Sequence, residues 1–261
     1  VEYAEHVPVP ALRGFVRCIW TLRAPTGGGV ERVLPDGCAE VILNRADPFL
    51  GHGPDGERRV QPLAMAVGQI AQYLEIEPSG VVDLLGIRFQ PAGLHALLGV
   101  PMHELTDARV DLRDVDRRVR DRLIDAAALG VRAVERLMLG LLPKHPSLAA
   151  AAAARIQAAG GRESLDGLQL PARTLERHFR AEVGLSPKRL ARIVRFHGVV
   201  GTLDRAHRPD WAALAVDAGF YDQAHLIRDF RQFAGMTPGA YLRQQMALSD
   251  LLAGVSDSSN P

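Results

Sequence analysis

The order of apolar and polar residues changes character along the chain. Over the first hundred positions, apolar residues come in short runs rich in Val, Ile, Leu and Phe: Val16 to Leu22, Val30 to Leu34, Glu40 to Leu43 and Val81 to Phe89. Clusters of turn-forming residues separate them, at Gly27-Gly28-Gly29, Pro35-Asp36-Gly37, Asp47-Pro48, 51–56 and Pro78-Ser79-Gly80. Such runs, cut by Gly and Pro at short intervals, predict strands joined by tight turns. Many short strands of this kind predict a sandwich or a small barrel.

The period then lengthens. Pro91 to Leu98 reads as a short helix with proline in its first turn. From Asp111 to Leu129, Val115, Val119 and Leu123 recur every fourth residue among alternating Asp and Arg. That pattern predicts a helix with one packed stripe and one solvated face. Helical character continues over Val131 to Leu142 until Pro143 and Pro146 break it. The expected organisation is a β-rich domain over 1–104, a helical connection over 105–146, an all-helical domain over 147–248 and a disordered tail over 249–261. The fold class is therefore α+β with two domains. The first is sandwich- or barrel-like with trailing helices. The second has two helical units joined by a long helix.

Those two units form a repeat. Leu175, Arg177, Phe179, Arg180, Gly184 and Pro187 recur as Leu226, Arg228, Phe230, Arg231, Gly235 and Pro238, all at an offset of 51 residues. A constant offset marks duplicated supersecondary structure. Leu and Phe four apart share the inner face of a helix, and the Arg between them points away from it. The glycine supplies a left-handed stop. Ser186-Pro187 and Thr237-Pro238 then cap and open the next helix. In the second unit, Trp211 to Ala218 forms a preceding helix, Gly219-Phe220 a turn, and Asp222 the N-cap of the helix that follows. Helix, glycine turn and second helix make a helix-turn-helix, whose second helix enters the major groove of DNA. An arginine there can reach guanine or phosphate. The linking helix from Pro187 to about Arg205 is expected to pack through Leu190, Ile193, Val194 and Val199, with Lys188, Arg189, Arg192 and Arg195 outward. His178 and Asp229 are expected to be solvated.

The stretches RTLERHFRAEVGLSPKRLARI and ALAVDAGFYDQAHLIRDFRQFAGMTPGAYLRQ resemble the DNA-binding domain of the AraC/XylS family of bacterial regulators, over about 149–245. The resemblance implies seven helices with one reading helix per unit. It offers Arg173, Glu176 and Arg177 to bases from the first, and Gln223, Ala224 and Arg228 from the second. Thr174 and His225 fall at backbone-contacting positions, with Asp222 beside them. The chain departs from the family before Arg173: it is about one helical turn shorter there, which predicts a truncated or irregular supporting helix in the first unit. RVLPDGCAEVILN and LLGIRFQPAGLHALLGVPMHEL resemble, less specifically, the β-rich front domains of some AraC-type regulators, which implies a sensory or dimerising role.

Charge fits this division. Residues 155–245 carry 14 Lys and Arg against 9 Asp and Glu, although the whole chain stands at only +1. A basic module attached to a mildly acidic one suits nucleic-acid binding. No signal-peptide pattern and no bilayer-length apolar run is evident, and a soluble cytoplasmic protein is expected. The two cysteines, Cys18 and Cys38, make neither a disulfide framework nor a zinc site and are read as half-buried. His52, His95 and His103 lack ligand spacing, so no metal or cofactor is expected. Cys38 near Asp36 has no evident base to activate it. Arg88 is read as a strand-surface charge rather than an anion site. The function expected is a non-enzymatic, sequence-specific transcription regulator, activator or repressor, on double-stranded DNA. Its further partners are a small effector, RNA polymerase and a second copy of the chain, and no membrane. The alternatives are a front domain that is an enzyme, with metal or paired acid and base groups, or one that only dimerises and lacks a pocket. The Asp/Arg-rich helix 111–129 is the candidate coupling or dimer element.

Overall fold

A computed structural model describes residues 1–25, 29–53, 56–162, 171–203 and 209–245. Its strands are β1 (Glu2–His6), β2 (Val16–Ala24), β3 (Glu31–Val33), β4 (Glu40–Asn44), β5 (Phe49–His52), β6 (Arg58–Val60), β7 (Ala64–Val67), β8 (Leu74–Pro78), β9 (Val82–Phe89) and β10 (Arg109–Asp111). They form two antiparallel sheets, ordered β1-β2-β9-β4-β7-β10 and β3-β8-β5-β6. The sheets face one another but do not close into a barrel. The central strands of the larger sheet are buried on both sides, and their period-two alternation sorts the two faces. Ile19, Val41, Leu85 and Ile87 join the main core beneath the helices, whereas Trp20, Ile42, Leu84 and Met65 face the smaller sheet.

The helices are α1 (Gly93–Leu98), α2 (Leu112–Ala128), α3 (Val131–Leu141), α4 (Leu148–Ala158), α5 (Ala172–Glu182), α6 (Pro187–Leu203), α7 (Trp211–Asp217) and α8 (Gln223–Ala234), and 238–245 is helical again. The first three pack on the larger sheet through Leu94, Leu112, Val119, Leu123, Val134 and Met138. Two features differ from the pattern-based reading of 105–146. β10 extends the sheet into that segment by pairing with β7. The expected single helix over 111–129 is broken at Asp116, whose backbone is extended and whose carboxylate accepts from the Arg118 and Val119 amides, capping a fresh helix.

The remaining helices enclose a second core built on Phe179, Phe196, Phe230 and Phe233. This core does not stop at the domain boundary, because Leu34, Ala71 and Ala92 of the front domain pack into it. The shortened stretch before Arg173 and the 249–261 tail fall largely or wholly outside the described residues.

Candidate functional site

Each repeat unit takes the conformation its sequence prescribes. Leu175, Phe179, Leu226 and Phe230 are buried on the inner faces of α5 and α8. Gly184 and Gly235 follow with φ of +86° and +70°, the left-handed region in which a Cβ is strained. Ser186 Oγ then accepts from the Arg189 amide, and Thr237 Oγ1 from the Ala240 amide, at 3.2 Å each. In the second unit α7 leads through Gly219 to α8, and Asp222 Oδ1 accepts from the His225 amide at 2.6 Å.

On α5, the side chains of Arg173, Glu176 and Arg177 are exposed and that of Thr174 is half-buried. Together with Arg180 they line one shallow groove, which His103 of the front domain also borders. On α8, Gln223, Ala224 and Arg228 are exposed, and Ala224 and Arg228 lie one turn apart. His225 is less free: its ring meets Phe220 edge-on, and its Nδ1 lies 3.4 Å from the Tyr221 amide. Tyr221, which sequence reasoning passed over, is almost fully exposed beside the start of α8.

Asp229 is only 2 % exposed, contrary to the expectation of a solvated side chain. It shares the inner stripe with Leu226, Phe230 and Phe233, and it binds the Arg192 guanidinium of α6 through both oxygens at 2.7 and 3.2 Å. His178 is half-buried and pairs with Glu182 at 3.0 Å. The α6 arginines are likewise not outward. Arg189 donates to the Ala71 carbonyl of the front domain at 2.6 Å, and Arg195 to the Gly161 carbonyl at 2.8 Å. Lys188 is exposed as expected.

The front domain grips the C-terminal end of both exposed helices. Thr106 Oγ1 donates to the Gly184 carbonyl, just beyond α5, at 2.9 Å. Arg32 on β3 donates to the carbonyl of Ala234, the last residue of α8, at 3.0 Å, and lies over the Tyr73 ring. A helix C-terminus carries free carbonyls and partial negative charge, so a guanidinium there is favourable.

β3 also borders the second feature of interest, a cavity of about 660 Å³ between the sheets. Its walls are mostly apolar: Trp20, Leu22, Ile42, Phe49, Ile76 and Leu84. Trp20 lies flat over Gly86, where a Cβ would fall 2.0 Å from its ring. Arg88 enters from β9 directly opposite Glu40 in register, on the cavity side of the sheet, and so is not a surface charge. It reaches Glu40 at 2.6 Å, Asp36 at 3.5 Å and Glu5 at 3.6 Å. Burial alone would lower its pKa, but the Glu40 and Asp36 carboxylates more than offset that and hold it above the ordinary arginine range. Glu40 is raised by the same burial despite Arg88. Cys38 is buried beside this network, and burial pushes its thiol far above the usual range. Neither cysteine is in a disulfide, and both are buried rather than half-buried. Among the described residues no cluster of three metal-ligating side chains occurs, and no helix is long and apolar enough to cross a membrane. Nothing in the sequence announced the cavity, because its walls come from alternate residues of strands far apart in the chain.

Residues 4–111 match the family model described as a domain of unknown function (DUF6597), and residues 166–244 match one described as a helix-turn-helix domain. No curated protein matches the chain. Among solved structures, ToxT of Vibrio cholerae O395 bound to (E)-4-(8-methylnaphthalen-1-yl)but-3-enoic acid is similar over 94 % of this chain and 100 % of that one, at 9 % identity and a TM-score of 0.48. Unsaturated fatty acid-bound wild-type ToxT from Vibrio cholerae strain SCE256 is similar over 92 % and 94 %, at 10 % identity and a TM-score of 0.45. With two matched helical units in place and the family match spanning both, the C-terminal part of this chain is a helix-turn-helix domain.

Proposed function

We propose that the protein is a sequence-specific transcription regulator that reads DNA with α5 and α8 and is controlled by a small molecule held between the sheets of its front domain. The observation that carries this reading is the pair of equivalent exposed arginines, Arg177 and Arg228, at the same position of two helix-turn-helix units. On α5, Arg173, Glu176 and Arg177 face bases and Thr174 the backbone. On α8, Gln223, Ala224 and Arg228 do the same work, while Asp222 and His225 set the start of the helix close to phosphate. Phosphate contacts supply most of the affinity and the base contacts supply the selectivity. The two helices occupy successive major grooves, about 34 Å apart.

The cavity supports control by a ligand over a front domain that only dimerises. Val33 and Leu34 line it, and Arg32 beside them holds the end of α8. A ligand that shifts β3 therefore acts on the second reading helix through one residue.

The test is binding to DNA from upstream of the protein's own gene, titrated over salt. Arg228→Ala should cost about 1–3 kcal/mol on the specific site and far less on scrambled DNA. An equal loss on both sequences, or no preference in the unsubstituted protein, would remove base reading by α8.

A further inference from the structure

One end of the cavity carries a charge that nothing in the described protein neutralises. Arg109 stands on β10, the edge of the larger sheet, paired with Val67, so both point to the cavity side. Its guanidinium reaches across the gap to the smaller sheet and lies against Gly51 of β5. A Cβ added at Gly51 would fall 2.9 Å from Arg109 Nη1 and 3.2 Å from Gln61 Nε2. The two donors thus converge on one bare α-carbon. Both nitrogens are buried without a hydrogen-bond partner among the described residues, and Gln61 as a whole is only 8 % exposed.

The other arginine that lines the cavity is already paired. Arg88 already faces three carboxylates, so a further anion there meets repulsion. Among the described residues Arg109 has no carboxylate within ion-pair distance, and burial alone pulls its pKa down. An arginine keeps its proton even so, and a desolvated cation without a partner is costly. Leaving two donors unmet at the wall of an apolar chamber is the pattern expected of a binding site that gains its acceptor from the ligand.

We propose that this end of the cavity is an anion subsite, and that the ligand of the front domain is a small, mainly apolar molecule carrying one carboxylate, seated on Arg109 and Gln61. This rests on the reading of the cavity as a ligand site. The planar guanidinium suits a planar carboxylate. Of the two arginines among the described residues that line the cavity, Arg109 is the one without a carboxylate, which matches a single negative charge, and a doubly charged phosphate would leave one unbalanced. The body of the ligand lies between Trp20, Leu84, Ile76 and Phe49, whose one polar group, the Trp20 Nε1–H, already donates to Glu40.

The experiment uses the full chain and three probes of equal length: decanoate, 1-decanol and decylammonium. Binding is followed by calorimetry and by tryptophan emission, since Trp20 lines the cavity while Trp211 lies in α7. Decanoate should bind at least tenfold more tightly than decanol, and decylammonium more weakly than either. Arg109→Met should bring decanoate down to the level of decanol and leave decanol unchanged. Arg109→Lys should keep part of the preference for the acid. Gln61→Leu should weaken decanoate by a smaller factor, and it serves as the independent variant where Arg109→Met melts early. Equal binding of acid and alcohol by the unsubstituted protein overturns the subsite but leaves the cavity a ligand site. So does undiminished decanoate binding in a folded Arg109→Met. Failure of every probe to bind removes the cavity reading along with the subsite.

Discussion

Cys38 shows how a single side chain ties this protein to pH. Buried beside Asp36, its thiol holds its proton far more firmly in the folded protein than in the unfolded chain. A folded pKa above the unfolded one gives stability that is complete below the unfolded value, about 8.5, and lost as pH rises beyond it. Denaturant melts should therefore show stability falling above about pH 9, by up to roughly 1.4 kcal/mol per pH unit from this group. Cys38→Ala should flatten that slope, and an unchanged slope would mean the loss comes from other groups. Arg88 teaches a related lesson. Its place opposite Glu40 follows from strand register, so a charge that looks ordinary in sequence becomes part of a buried network. Arg109 was still less legible, because its unmet donors depend on the meeting of two sheets.

Among elements, the contact between α6 and α8 decides how firmly α8 is held. Breaking a buried ion pair from one side leaves the other charge without its partner. Asp229→Ala should cost about 3 kcal/mol, the low end for such a rupture because Arg192 remains a quarter exposed. Thermal or denaturant unfolding of the variant checks this, and a change below about 0.5 kcal/mol would mean solvent serves Arg192 equally well. The position was readable from periodicity, since Leu226, Asp229, Phe230 and Phe233 follow the three-four spacing of a buried stripe. Residue type pointed to water, but the stripe prevailed because α6 supplies an arginine.

Strands were legible to the extent that they are central. β2, β4 and β9 are apolar on both faces and stand out as runs. β1, with sequence EYAEH, is exposed throughout, and β6 reads Arg-Arg-Val. Such edge strands are made by pairing rather than by their own side chains. The helix-turn-helix units were legible almost entirely, because glycine stops, hydroxyl caps and Leu–Phe pairs are local signals. The break at Asp116 was hidden by a valine spacing that runs across it.

On the scale of the whole molecule, the second core crosses the domain boundary and the front domain holds α5 and α8 by their ends. Thr106, in the turn before β10, and Arg32, on β3, both belong to the front domain, so α5 and α8 are held relative to one another from two sides: by α6 between them and by the β domain behind them. If α5 and α8 read DNA as proposed, this bracing acts as a ruler, and the mark it measures is the number of base pairs between two half-sites. Operators lengthened by one base pair at their centre should be rejected sharply by the unsubstituted protein. A chain with Arg32→Ala and Thr106→Val should accept them with a smaller penalty, while its affinity for each half-site alone stays the same. An identical penalty in both proteins would assign the ruler to α6 alone. A smaller penalty in the doubly substituted chain would instead trace the tolerance of a promoter to insertions to two residues of the front domain, outside both exposed helices.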